Sequence, residues 1–420
     1  MPKINSFIDN YALTSIVISY LLCPYPIIKS IGSITSIVAI CLIIYAFVVK
    51  KRIEDDRVVS LLLFAFFLIN SISLFQDRVV MNLFRAYCMG LLTFTAVYVY
   101  STPKSLMILV RALCIWGVAS FIVMVAQTAI GDIMYMPLYF GYYGGITKES
   151  FMNFRYISNA LGFNLSKSQL GVQISFIIPL VALYVMRQRS YRVLLLYAVS
   201  LAGVMVLSFS RAGWMGIIVS CIILFAIRPT IDWQYKQYFK IVFVAAAVII
   251  VLALFDTRIR KCFYSPNQEY SYFTTQDLVL QAFNIQKKTD ETLRSQISHS
   301  ALFENDYTLF GKGIGKTRFA TGQKQISLHV TYIQILLDNG IFGQVVFVSL
   351  ITITLIRLYR GRNMIMETDI VQYQSILLAS FISILVYGGF HEILPDRSFW
   401  IILGLTSASV SKKAFKEIDA

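Results

Sequence analysis

The chain runs to 420 residues, 57% of them hydrophobic and 14% aromatic, with a mean hydropathy of +0.68. A soluble globular chain holds roughly 45–50% apolar residues, so this composition excludes one and makes the bilayer the solvent. Lys and Arg number 37 against 22 Asp and Glu, a formal net charge of +15, but basic residues collect on the cytoplasmic side of any membrane protein, so no nucleic-acid partner is expected.

A window of about 20 residues, the length that crosses the hydrocarbon core, predicts spans centred near residues 20, 40, 66, 90, 117, 176, 200, 221, 247, 344, 380 and 404. The expectation is an all-α integral membrane protein of about 12 transmembrane helices, with 1–420 forming a single polytopic membrane domain. No cleavable signal peptide is expected, because the first apolar run lacks a small-residue cleavage pattern and more spans follow it. Cys23, Cys41, Cys88, Cys114 and Cys221 lie within or at the edge of apolar runs and Cys262 does not, which argues against a loop disulfide or a thiolate metal site.

The short connectors alternate in character. Lys50-Lys51-Arg52, Lys104, Arg187 with Arg189 and Arg192, Arg228 with Lys236, Arg357 with Arg360 and Arg362, and Lys412-Lys413 lie at every second turn. Those turns are assigned to the cytoplasm, and both termini with them. The remaining connectors then face outward, and two are long, 131–166 and 257–327; loops of that length are usually functional. The second carries Arg258, Lys288, Arg294, Lys312 and Arg318 among other basic residues. Long loops are exempt from the positive-inside rule, so a solvated surface and an anion site are both open readings. No low-complexity stretch, Pro/Gly-rich linker or internal repeat interrupts the chain.

Three histidines occur, His299, His329 and His391, and this topology sets all of them on or beside outward connectors. His329 stands in Ser327-Leu328-His329-Val330-Thr331-Tyr332 at the head of the tenth span, where Ser327 is a candidate helix cap. Taken alone it is an interfacial polar anchor. A histidine that titrates near neutrality, where an acceptor hydroxyl can meet it, is also what general-base catalysis requires. Gly340 and Gly343 follow; in a regular helix Gly340 lies about 16 Å deeper on nearly the same face, where small residues admit a neighbouring helix. Arg211, in Ser208-Phe209-Ser210-Arg211-Ala212-Gly213-Trp214, occupies a connector so short that its guanidinium stays near the outer boundary. There it either snorkels or grips phosphate with its planar fork. Arg85, near the outer end of the fourth span, and Arg155 and Arg294 in the two loops carry the same pair of readings.

Gly311-Lys312-Gly313-Ile314-Gly315-Lys316-Thr317 invites comparison with a phosphate loop, but Phe310 occupies the place of its first glycine, so the spacing fails. A tight glycine turn whose amides nest an anion is the expectation instead. His391-Glu392 with Asp396-Arg397, in the last outward turn, forms either a local salt-bridged cap or a second catalytic or acceptor-binding group. No HExxH, outward DxD or zinc-suited His/Cys spacing occurs, nor does a nucleophile elbow or triad pattern.

Two segments carry a family resemblance. One is Leu207-Ser208-Phe209-Ser210-Arg211-Ala212-Gly213-Trp214. The other begins at Leu309-Phe310-Gly311-Lys312-Gly313-Ile314-Gly315 and continues to His329 and Gly340-Ile341-Phe342-Gly343. They resemble the O-antigen polymerase and O-antigen ligase superfamily, whose ligase signature is H-[NSQ]-x9-G-x-x-[GTY]. Here Val330 stands at the polar second position, while the spacing from His329 to Gly340 and Gly343 is kept.

The resemblance implies a GT-C-like, metal-independent membrane glycosyltransferase without cofactors, in the bacterial inner membrane with its active site on the periplasmic side. Its implied donor is an undecaprenyl-diphosphate-linked glycan. The acceptor is another lipid-linked glycan for a polymerase or the lipid A core for a ligase; membrane lipids and a chain-length regulator are further expected partners. On that reading His329 is the general base, and Arg211 and Arg294 stabilise the leaving diphosphate. Arg85, Arg155, Arg318 and His391 are substrate-binding candidates, and tyrosines of the loops, such as Tyr142 and Tyr270, offer faces for sugars. Two other classes stay in view: a transporter of lipid-linked oligosaccharide, for which no matched pair of interrupted helices is evident, and a non-catalytic scaffold.

Overall fold

The computed structural model of the protein describes residues 2–22, 26–28, 32–50, 56–72, 81–130, 162–164, 167–186, 190–208, 210–226, 308–314, 318–321, 324–327, 330–364 and 368–411. Eleven α-helices occur among the described residues. They are α1 (Pro2–Leu22), α2 (Ile34–Tyr45, continued by a π-helical turn over Ala46–Lys50), α3 (Arg57–Ile72), α4 (Met81–Tyr100), α5 (Pro103–Ile130), α6 (Lys167–Met186), α7 (Tyr191–Ser208), α8 (Arg211–Ala226), α9 (Thr331–Met364), α10 (Thr368–Gly388) and α11 (Arg397–Ser411). Each overlaps a predicted span, although α1 ends at Leu22, just past the centre predicted near residue 20; the span predicted near residue 247 lies outside the described residues. Leu83–Tyr100, Pro103–Ala126, Tyr191–Ser208 and Thr331–Arg360 are long and apolar enough to cross a membrane. The protein is an α-helical membrane protein.

Two small hairpins depart from the all-helical expectation. Strand β1 (Pro26–Ile28) pairs antiparallel with β2 (Gly32–Ser33), and β3 (Arg318–Thr321) pairs with β4 (Lys324–Ser327). Thr321 faces Lys324 across the second hairpin. Ser327, expected to cap the tenth span, is instead the last residue of β4, opposite Arg318. Helix α9 starts only at Thr331, where Gln334 N donates to Val330 O at 3.0 Å.

The core sits around α11, whose residues Ser398 to Ser409 are all buried. In lipid no hydrophobic drive separates helix from solvent, so close approach of backbones and hydrogen bonds between helices hold the bundle. Gly90 of α4 leaves room for the Trp400 indole, whose Nε1 donates to Leu394 O at 2.8 Å. Gly171, Gly213 and Gly216 likewise bring α6, α8 and α10 together, with Ser383 lying against Gly216.

Contacts sort the helix ends onto two faces. On one, Asp56 caps α3 through Val59 N at 3.3 Å and pairs with Arg357 of α9, and Tyr98 bonds Ser411 at 2.8 Å. On the other lie Tyr20, Ser36, Ser168, Thr331, Tyr387, His391 and Asp396, joined by the bonds described below. Counted from Arg357, Gly340 stands about 25 Å along α9 at 1.5 Å per residue, against a hydrocarbon core of about 30 Å. It therefore lies near the second face rather than deep in the bilayer.

Candidate functional site

Three regions that the sequence singles out converge on the second face. Thr331, fully buried, donates its hydroxyl to His391 O at 2.7 Å and accepts Ile393 N at 2.9 Å. One side chain thus pins the head of α9 to the turn between α10 and α11. The His391 ring stacks on Tyr387, with centroids 5.0 Å apart and planes inclined by 22°. Tyr387 in turn donates to Ser168 O at the head of α6. The space that a side chain on Gly171 would fill is taken by the Ser210 hydroxyl and the Tyr387 ring, so the start of α8, with Arg211 as its first residue, belongs to the same cluster. Ser210 caps α8, accepting Gly213 N at 3.3 Å.

The feature that the sequence did not announce is a break in α9. Gly340 has φ 70° and ψ −169°, far from helical values. In an unbroken helix Ile341 N would donate to Leu337 O and Phe342 N to Asp338 O. Instead Ile341 N donates to Thr308 O at 3.2 Å and Phe342 N to Leu309 O at 3.1 Å. The abandoned carbonyls accept the loop's own amides, Lys312 N on Leu337 O at 2.8 Å and Gly313 N on Asp338 O at 3.0 Å. The stretch 308–313 is thus spliced into the helix, and all four freed backbone groups are satisfied, as a non-aqueous surrounding demands. Two glycines make it fit: a Cβ on Gly311 would overlap Asp338 O, and one on Gly340 would overlap Gly311 N and Leu309 O.

This splice corrects three expectations. The amides of Lys312 and Gly313 do not nest an anion, because they are committed to carbonyls. Gly340 is approached by loop backbone rather than by a neighbouring helix. The regular helix assumed for the tenth span is broken at Gly340.

Polar side chains line the inner part of the site. Gln334 Nε2 donates to Asp338 Oδ2 at 2.6 Å, with both residues buried. Tyr87 of α4 hydrogen-bonds the Glu392 carboxylate and lies within electrostatic reach of Asp338. Among the described residues no three His, Cys, Asp or Glu side chains gather as metal ligands would. At the rim, Asp396 Oδ1 accepts Tyr20 Oη at 2.6 Å and Ser398 N at 2.8 Å. Tyr20 has one proton, already given to Asp396, so the Ser398 hydroxyl donates to Tyr20 at 2.9 Å. Arg397 Nη2 donates to Ser36 Oγ at 2.8 Å. The anticipated salt-bridged cap is therefore a set of bonds across α1, α2 and α11.

Burial pushes the Asp396 carboxyl above its ordinary range; hydrogen bonds from Tyr20 and Ser398 and the charge of Arg397 offset only part of that. The folded state then holds this proton more tightly than the unfolded chain, so Asp396 lowers stability as pH rises from the ordinary carboxylate range through its raised value. Asp396→Asn keeps an acceptor for both bonds to Oδ1. It is expected to flatten the thermal stability curve across that window and to match or exceed wild type above it, whereas Asp396→Ala should be less stable at every pH, as thermal unfolding in detergent will show.

Of the predicted site residues, His391 is half-buried in the cluster and Arg85 is exposed on α4, two positions before Tyr87. Arg318 heads β3 opposite Ser327. Arg211 opens α8, with its side chain outside the described residues, as are all of His329, Arg155 and Arg294. Sequence reasoning missed Thr331, Tyr387, Gln334 and Asp338. Asp338 had a signal: a carboxylate inside an apolar run is costly and usually functional.

No curated protein matches the chain. Residues 196–348 match the family model described as O-antigen ligase, a stretch that runs from α7 through the start of α8, both strands of the second hairpin and the splice to the middle of α9. That match covers both segments on which the resemblance rests, and over this part the chain is similar to the O-antigen ligase family.

Proposed function

We propose that this protein is a membrane glycosyltransferase that uses an undecaprenyl-diphosphate-linked glycan on the periplasmic side of the bacterial inner membrane, polymerising repeat units of O-antigen or a related surface polysaccharide. The observation that carries this reading is the convergence, on one face, of the head of α8 at Arg211, the head of α9 two residues past His329, and His391. In this reading the bundle is GT-C-like with about 12 spans, both termini are cytoplasmic, and 131–166 and 257–327 are periplasmic loops over the site.

Negative charge develops on the leaving diphosphate as the glycosidic carbon changes partner. Arg211 and Arg294 stabilise that charge without a divalent metal, and Arg85, Arg155 and Arg318 hold the phosphates and sugars. His329 takes the proton of the attacking acceptor hydroxyl, while His391 lines the acceptor side. The loops exclude water, since hydrolysis of the donor is the competing reaction. The carrier reading is disfavoured by the splice: a carrier's broken helix offers its freed carbonyls to ions, but here Leu337 O and Asp338 O are already occupied.

A second reading, transfer of the finished glycan to lipid A core, is favoured by the description of the matched family. Silver-stained lipopolysaccharide from a strain lacking this gene separates the two. Core with a single repeat unit supports the polymerase, bare core with polymer retained on undecaprenyl diphosphate supports the ligase, and an unchanged ladder overturns both.

Thr331 positions His329 in this scheme. Thr331→Val removes both the donor to His391 O and the acceptor of Ile393 N, and is expected to lower turnover by about tenfold, the equivalent of a net hydrogen bond of about 1–1.5 kcal/mol. Thr331→Ser, which keeps the hydroxyl, should restore most of it. Equal activity in both variants would remove the positioning role.

A further inference from the structure

The splice carries an apolar pair that the proposed reaction does not use. Leu309 and Phe310 expose 55% and 46% of their surface, immediately before Gly311 enters the break in α9. The Leu309 carbonyl accepts Phe342 N at 3.1 Å, and the Phe310 ring lies against the Phe342 ring with centroids 5.3 Å apart. The pair is therefore fixed on α9 rather than projecting freely.

What it rests on is an exposed apolar stripe. Ile341, Phe342, Val345, Val348, Ile356 and Tyr359 are all exposed large side chains, spaced at the helical period along α9. Only 33% of the apolar window Thr331–Arg360 is buried inside the bundle, the smallest share among the four candidate spans. Such a stripe on a membrane span faces hydrocarbon. Its upper end is at Gly340, which by the helix rise from Arg357 stands close to the headgroup border. Leu309 and Phe310 prolong this same surface past the break, where the helix itself can no longer supply it.

We propose that Leu309 and Phe310 form a wedge inserted into the outer leaflet, its occupant being the acyl chains of bilayer lipid. Continuity with the lipid-facing stripe of α9 favours lipid over a protein partner, and an aromatic ring beside an aliphatic side chain suits the membrane-water boundary. The wedge is part of the splice, so it seats the 308–313 stretch of the long 257–327 connector on the bilayer. The membrane surface and the broken helix are then joined through the single stretch 308–313. This inference does not depend on which reaction the protein performs.

The test uses the full chain in vesicles of phosphatidylethanolamine and phosphatidylglycerol, with Phe310→Trp and the difference emission taken against the parent protein. Lipid carrying a nitroxide at a shallow acyl position should remove most of that difference emission, as it should for Val345→Trp on the stripe, while aqueous acrylamide leaves it largely intact. Quenching by acrylamide without quenching by the lipid would put Phe310 in water and overturn the proposal. Resistance to both would mean that protein covers it, and would overturn the proposal equally. If Phe310→Trp does not yield monodisperse protein, Leu309→Trp is read in the same way.

Discussion

Replacing His329 by alanine is expected to lower glycan transfer by about 10²–10⁴-fold, the range that general acid–base catalysis supplies. The chain has three histidines, and His329 alone stands two residues from the hydroxyl that locks α9 to the His391 turn. Loss of a base leaves the arginines and the bound diphosphate in place, so the variant should still bind donor and insert normally. Product formation is measured on the purified protein with lipid-linked glycan and, in cells, by the lipopolysaccharide ladder after complementation. Wild-type turnover in His329→Ala would remove His329 from the mechanism and shift attention to His391 and to Glu392 and Asp338, the carboxylates near Tyr87.

Gly340→Ala is expected to be severely damaging. Its φ of 70° with ψ of −169° belongs to a region that is essentially glycine's own, so a side chain there costs about 1–3 kcal/mol in backbone strain. The added Cβ would also overlap Gly311 N and Leu309 O. Those atoms are backbone held by the splice, so they cannot rotate away, and overpacking adds about 1–3 kcal/mol. The combined penalty is a large part of a typical domain's stability of about 5–15 kcal/mol. The expected result is a sharp fall in folded yield and melting temperature, with the 308–313 stretch expelled and newly open to protease. A variant that melts like wild type, with that stretch still protected, would show that the helix tolerates regular geometry at 340 and that the splice is dispensable.

These two residues show how differently the two levels of information reach a site. The interval from His329 to Gly340 was visible in the sequence, and so were the two segments, Leu207–Trp214 and Leu309–Gly315, that carry the resemblance. The reason for Gly340 was not. Read as a regular helix, the glycine admitted a neighbouring helix; in the structure it is where a helix stops making its own bonds and loop backbone takes them over. Backbone hydrogen bonds leave almost no trace in side-chain pattern, so such an exchange cannot be seen from periodicity. The same holds for Ser327, a plausible cap by residue type that is used instead in a strand opposite Arg318.

By itself the sequence determined the solvent, the helical class and the positions of the described spans, because apolar runs of about 20 residues have one stable form in lipid. Tertiary structure alone decided that Thr331 would bind the turn after Tyr387, that Ser210 and Tyr387 would fill the space beside Gly171, and that Asp396 would bond Tyr20 instead of only pairing with its neighbour. These are contacts between residues far apart in the chain, and what selects them is the requirement that every buried polar group find a partner where no water can serve.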